Sequence, residues 1–133
     1  MFAWEDSFSV GVKEIDEQHR KLVEMLDDFY QGLAGHQPDG ALAQLLERMA
    51  RYTQYHFALE ERLMSLHGYP GLDQQRAQHE QFVQRTFDMA QRHANGRLVL
   101  SLEATGFLRN WLKDHICGSD KALGRYLNER GVH

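Results

Sequence analysis

The sequence contains a single cysteine, Cys117, among its 133 residues, and its N-terminus has no basic stretch ahead of an apolar one. One thiol excludes an internal disulfide, and with it the disulfide-rich class of secreted proteins. A secretory signal peptide begins with basic residues, whereas this N-terminus has the acidic residues Glu5 and Asp6. We therefore expect the protein in a reducing compartment, the cytoplasm.

Long apolar runs and basic clusters are also missing. No apolar run approaches the ~20 residues that span a bilayer, so no membrane partner is expected. The formal net charge of -4 disfavours nucleic acid as a partner, because phosphate binding requires a clustered basic surface. The composition, 42% hydrophobic and 26% charged, is that of a globular protein. The length predicts a single domain over residues 1–133.

Apolar residues recur at helical spacing, as at Leu22, Leu26 and Phe29, and only two prolines interrupt the chain. We predict four helices, over about Asp16–Leu33, Ala41–Leu66, Leu72–Ala94 and Leu98–Ile116. Asp16 is the predicted N-cap of the first helix. Short glycine-containing turns separate the helices, which makes neighbours antiparallel. The predicted fold is all-α, an up-down-up-down antiparallel four-helix bundle over residues 16–117.

The two ends of the chain are predicted to flank this bundle. Residues 1–15 include Phe2, Trp4 and Phe8 without helical period, which favours an extended N-terminal arm packed across the bundle over a disordered tail. Gly118 and Ser119 are expected to interrupt the fourth helix, and residues 120–130 to form a short C-terminal helix.

Metal-ligating side chains lie at matching depths of the four helices. His56 and Glu60 are four residues apart and share a helix face, although such a pair alone is more often a solvated ionic contact. In an antiparallel bundle, the start of the first helix lies level with the late second, early third and late fourth helices. That level contains His19, His56, Glu60, His79 and His115.

Asp120 adds a second carboxylate to this set. It follows His115 by five residues, a spacing that requires a loosened helix at Gly118 and Ser119. Imidazole nitrogen and carboxylate oxygen suit iron, manganese or zinc. Two carboxylates shared among four imidazoles predict a pair of metal ions inside the bundle, where side chains of facing helices converge.

The remaining histidines and the cysteine are expected to lie outside the site. Cys117 points away from the ligand face by about 200°, which favours a core or surface thiol over a ligand. His67 lies about 10 Å of helix rise beyond Glu60, too far for the same ion. The histidines predicted to be exposed to solvent are His36, His93 and His133.

Five segments of the chain, in order and at matching spacing, resemble the bacterial hemerythrins. They are Val10-Gly-Val-Lys-Glu-Ile-Asp-Glu-Gln-His19, His56-Phe-Ala-Leu-Glu60-Glu, Gly68-Tyr-Pro-Gly, His79-Glu-Gln-Phe and Trp111-Leu-Lys-Asp-His115-Ile-Cys-Gly-Ser-Asp120-Lys. The resemblance implies a non-haem di-iron centre, with two iron ions joined by an oxo or hydroxo bridge, that binds dioxygen reversibly.

The resemblance also implies a role for each residue. His19 and His56 would ligate one iron, and His79 and His115 the other. Glu60 and Asp120 would bridge the two irons. Trp111 lies one turn before His115, and it either lines the oxygen pocket or packs in the core.

The chain departs from the family at Gln75, where hemerythrins usually have a further histidine one turn before His79. Gln75 would then be a weak ligand through its amide oxygen, or a lost ligand with water in its place. Our hypothesis is that the loss of an imidazole makes autoxidation faster.

The function implied is oxygen carriage, storage or sensing, and no catalytic residue is predicted. The absence of an appended output segment favours carriage, storage or delivery to an oxygen-using enzyme. The alternatives are a di-iron oxidase or peroxidase, a protein that handles nitric oxide, or a metal-poor helical interaction module. The sequence makes no prediction of oligomeric state.

Overall fold

The computed structural model describes residues 2–35 and 38–133, with the backbone alone at residues 39, 103 and 104. Within these residues the chain forms α1 (Lys13–Ala34), α2 (Asp39–Leu66), α3 (Leu72–Ala94), α4 (Leu102–Asp114) and α5 (Lys121–Glu129). A π-helix, His115–Asp120, joins α4 to α5 without a break. The predicted all-α, up-down-up-down four-helix bundle with a short C-terminal helix is confirmed.

The core of the bundle follows from the helical spacing of apolar residues. Leu22, Leu26 and Phe29 of α1 are fully buried. α2 packs along both α1 and α3, and α1 also contacts α4. Apolar burial of this kind is the main favourable term in folding, so the residues that recur at helical spacing are also the ones that bring the four helices together.

The N-terminal arm is anchored at both of its ends. The Phe2 backbone N–H donates a hydrogen bond to Asp27 of α1 at 2.9 Å, and Phe8, in a short 3₁₀ turn, is buried. A Cβ added at Gly124 of α5 would lie only 1.9 Å from the Val10 carbonyl oxygen. The arm and α5 therefore approach each other so closely that only glycine fits at position 124.

The predicted N-cap role of Asp16 is wrong. α1 begins at Lys13, and Val12 occupies the N-cap position. The carboxylate of Asp16 instead accepts hydrogen bonds from the Val10 backbone N–H, at 2.8 Å, and from the Ser9 hydroxyl. It fixes the turn by which the arm enters the helix, because both of these donors lie upstream of α1.

Two expectations near the start of α4 also differ from the structure. α4 begins at Leu102 rather than Leu98. His93, predicted to be exposed, is buried, and its Nδ1–H donates to the Leu98 carbonyl oxygen at 2.8 Å. That hydrogen bond holds the connection between α3 and α4 in a non-helical form. His133 is exposed as predicted, whereas His36 lies outside the described residues.

The predicted interruption at Gly118 and Ser119 is a widened helix rather than a break. Hydrogen bonding in a π-helix closes at i+5 instead of i+4. His115 and Asp120 are five residues apart, so this geometry returns them to the same face. The loosening expected from their spacing is thus present, but it is distributed over the whole π-turn.

Among the residues described, no helix combines the length and the apolar character needed to cross a bilayer.

Candidate metal centre

All six residues predicted to hold metal meet in the interior of the bundle. α1 contributes one imidazole, α2 an imidazole and a carboxylate, α3 one imidazole, and the π-helix an imidazole and a carboxylate. None of the six side chains is more than 5% exposed. They are His19, His56, Glu60, His79, His115 and Asp120. Four separate helical segments therefore contribute to one buried cluster.

One half of the cluster is formed by His19 and His56. The Nε2 atom of His19 lies 3.4 Å from Glu60 Oε2 and 3.1 Å from Asp120 Oδ2. The Nε2 atom of His56 lies 3.3 Å from the same oxygen of Glu60. The ligand atoms of these four residues all lie within 4.8 Å of one another.

The other half is formed by His79 and His115. The Nε2 atom of His79 lies 3.4 Å from Glu60 Oε1, and that of His115 lies 3.3 Å from Asp120 Oδ1. The two Nε2 atoms approach each other to 2.9 Å. Together with the two carboxylates these rings form a second group within the same 4.8 Å limit.

The two carboxylates belong to both halves. Glu60 turns Oε2 towards His19 and His56 and Oε1 towards His79. Asp120 turns Oδ2 towards His19 and Oδ1 towards His115. Each carboxylate thus offers one oxygen to each half, which is the arrangement that bridging ligands require.

The donor atoms are poorly satisfied by the protein alone. Neither Nε2 of His19 nor Nε2 of His56 has a hydrogen-bond partner, and neither do the oxygens of Glu60 and Asp120. Buried polar groups are almost always paired, because an unpaired one costs about 1–3 kcal/mol. Metal–donor bonds of about 2.1 Å at angles of 90–110° would separate adjacent donors by about 3.0–3.4 Å. The five imidazole–carboxylate distances, 3.1–3.4 Å, lie within that range, and the 2.9 Å between the Nε2 atoms of His79 and His115 is just below it, so the residues fit bound cations.

Electrostatics within the cluster point the same way. Burial lowers the pKa of His19, but the carboxylates of Asp120 and Glu60 outweigh it and raise that pKa to about 9. Burial likewise opposes ionisation of Glu60, yet the His56 and His19 imidazoles bring its pKa well below its usual range. The cavity therefore stabilises carboxylate anions that face a positive charge, and a metal cation supplies such a charge.

Two further side chains, which the sequence analysis missed, hold imidazole rings in place. Gln18 Oε1 accepts a hydrogen bond from His56 Nδ1–H at 2.8 Å. Glu61 Oε2 accepts one from His79 Nδ1–H at 3.0 Å. Because an oxygen acceptor fixes the proton on Nδ1, each ring keeps its Nε2 lone pair for the centre. Their only signal in the sequence was adjacency to His19 and Glu60.

Aromatic rings pack against the second half of the cluster. Phe57 stacks on His79, with ring centroids 3.7 Å apart and an interplanar angle of 3°. Trp111 stacks on His115 at 4.5 Å and on Phe82 at 4.3 Å. These contacts fix the planes of both imidazoles and cover them with apolar surface.

Gln75 is buried beside this half, but its amide oxygen has no hydrogen-bond partner. Its amide nitrogen lies 3.4 Å from the Ser119 carbonyl oxygen on the π-helix. Cys117 on the same π-helix is exposed, so it is a surface thiol and not part of the core.

The fold and this site define a class of protein: a helical bundle with a buried cluster of histidines and carboxylates that is suited to binding metal ions. Residues 10–127 match the hemerythrin HHE cation binding domain. The chain belongs to the hemerythrin family. Hemerythrins bind oxygen at a non-haem di-iron centre, so the predicted cofactor, two iron ions, is confirmed at the level of the family. Proteins of this family are generally not enzymes.

Individual relatives agree with this assignment. The chain is 34% identical over 122 residues to a bacteriohemerythrin of Stenotrophomonas maltophilia (strain R551-3), covering 92% of this chain and 78% of the relative. It is 26% identical over 126 residues to one of Clostridium acetobutylicum, covering 91% and 97%. A crystal structure of wild-type hemerythrin superimposes with a TM-score of 0.88 at 26% identity, covering 96% and 98% of the two chains.

Proposed function

We propose that this protein binds dioxygen reversibly, for carriage, storage or sensing, at two iron ions bridged by Glu60 and Asp120. In this proposal His19 and His56 ligate one iron, and His79 and His115 the other. The observation that carries it is the division of the six side chains into two groups of four that share both carboxylates. The iron pair, when bound, supplies the reversible exchange of two electrons with oxygen.

The protein's own residues supply the shielding that reversibility requires. Bound oxygen must not collect protons from bulk water, so the pocket has to be dry. Phe57 is buried, and Trp111 lies partly buried between Phe82 and His115. We propose that Trp111 lines the oxygen pocket in addition to its packing role, because it is stacked directly on a ring of the centre.

Gln75 is proposed to be a weak ligand or a lost one. Its buried position one turn before His79, with an amide oxygen free of hydrogen bonds, supports a role as a weak oxygen donor. Water in its place would leave an exchangeable position. Either arrangement provides fewer imidazoles than the usual family pattern and favours faster autoxidation.

An enzyme is the second candidate, and the observation that favours it is that residue 75, one turn before His79, is a glutamine and not a histidine. An exchangeable position at iron would suit an oxidase, a peroxidase or a protein that handles nitric oxide. We also place the protein in the cytoplasm, since its one cysteine is an exposed thiol.

Absorption spectroscopy of the iron-loaded protein tests the proposal. A charge-transfer band that forms in air and vanishes under vacuum is expected for reversible oxygen binding. An irreversible ferric spectrum with turnover of hydrogen peroxide would support the enzyme instead. Purified protein that takes up no iron would contradict both and leave a helical interaction module.

A further inference from the structure

The two halves of the metal centre differ in the chemical nature of the group behind one imidazole. His56 Nδ1–H donates to the neutral amide of Gln18, which is buried. His79 Nδ1–H donates to the carboxylate of Glu61. The hydrogen-bond lengths are similar, at 2.8 and 3.0 Å, so the two acceptors differ mainly in charge.

Glu61 is also in contact with a cation on its solvent side. Arg76 Nε donates to Glu61 Oε1 at 3.0 Å, and the side chains of Arg76 and Glu61 are 48% and 22% exposed. His79 itself is buried. A chain of contacts therefore leads from an exposed arginine, through a half-buried carboxylate, to a buried imidazole of the centre.

We propose that Glu61 is a positioning residue that makes the iron bound by His79 easier to oxidise than the iron bound by His56, with Arg76 opposing this effect. The inference rests on the di-iron function proposed above. A carboxylate behind an imidazole raises the basicity of the ring as a ligand. A more basic ligand favours the ferric ion over the ferrous ion because the ferric ion has the higher charge. A neutral amide oxygen raises the basicity of its imidazole less, so its effect on the iron bound by His56 is smaller.

Two substitutions should shift the reduction potential in opposite directions. Glu61→Gln keeps an oxygen acceptor for His79 and removes the negative charge, so the reduction potential of the iron bound by His79 should rise. Mutating a group that is hydrogen-bonded to a metal ligand typically has a 10- to 100-fold effect. We expect the low end of that range here, a change of about tenfold in the redox equilibrium, which corresponds to about 59 mV for one electron. Arg76→Gln removes the opposing cation and should lower the same potential by a smaller amount.

The experiment is a spectroelectrochemical titration of the iron-loaded full chain, with each variant's iron stoichiometry measured alongside. Arg92→Gln is the matched control, because Arg92 is another exposed arginine of α3, paired with Asp88 at 3.8 Å. It should leave both potentials unchanged. The double variant Glu61→Gln/Arg76→Gln should behave like Glu61→Gln alone, since Arg76 acts through Glu61.

A merely structural role for Glu61 would give a different pattern. Shifts in the same direction for Glu61→Gln and Arg76→Gln, or no shift for Arg76→Gln, would overturn the inference. If the Glu61→Gln variant fails to retain iron, the reduction potential of the Arg76→Gln variant, which changes an exposed side chain, tests the inference by itself. Wild-type protein without two irons would refute the proposed function as well, whereas two irons with unshifted potentials in the variants would refute this inference only.

Discussion

The His19/His56 half and the His79/His115 half of the centre have equivalent donor sets but different surroundings. His19 and His56 are both 0% exposed and meet edge to face, with centroids 4.6 Å apart. His79 and His115 are stacked against Phe57 and Trp111 instead. Both pairs of imidazoles are thus buried, but only the second pair is stacked face to face on aromatic side chains.

The difference extends to the surface of the protein. A groove of about 410 Å³ reaches His79, with Phe57, Glu61 and Val83 among its lining residues. In the first half, the partner behind His56 is the neutral amide of Gln18 rather than a carboxylate. We infer that the first half is the more insulated, and that changes at the surface act on the centre mainly through the second half.

Glu60→Ala should have the largest effect, because it removes a carboxylate that both halves share. We expect the loss of at least one of two irons, since one donor disappears from each group of four. Elemental analysis of the purified protein measures this. Glu47→Ala, at an exposed ion pair with Arg51 on the same helix, is the control and should retain both irons.

Trp111→Ala should damage the second half selectively. Loss of the stacks on His115 and Phe82 is expected to cost about 3 kcal/mol of the free energy of unfolding, near the low end for aromatic truncation because Trp111 is only partly buried. Urea denaturation of the metal-free protein measures the cost. Trp111→Phe retains an aromatic ring and should lose much less, and equal losses for the two variants would contradict the stacking argument.

Gln18→Ala should weaken the first half more mildly. His56 would lose the acceptor that fixes its ring, and such losses typically reduce metal affinity 10- to 100-fold. Competition with a chelator should show one of the two metal ions released earlier than in the wild type. Unchanged release would mean that the packing around His56 alone orients its ring.

Gln75→His should produce the smallest change. We expect it to alter the rate of autoxidation without any loss of metal. An added imidazole beside His79 is expected to slow autoxidation, which stopped-flow decay of the oxygenated protein measures. Gln74→His, at the exposed neighbouring position on α3, is the matched control and should leave the decay unchanged. Equal lifetimes for wild type and Gln75→His would reject the hypothesis.

Features that depend on local repetition could be predicted closely from the sequence. The bounds of α3, Leu72–Ala94, agree with the prediction at both ends, because breakers flank a long periodic segment. The start of α4 could not be predicted, since it depends on a hydrogen bond between His93 and Leu98. Asp16 was assigned to the wrong donors for a similar reason, as its partners lie in the arm.

The amino-acid sequence alone determined which donor atoms are present and at what depth of the bundle, because helical periodicity converts spacing along the chain into position along an axis. It also determined the family. Only the tertiary structure decided which carboxylate oxygen faces which ring, and that Gln18 lies behind His56 while Glu61 lies behind His79. These choices depend on how neighbouring helices are rotated and offset, and packing between distant segments sets both.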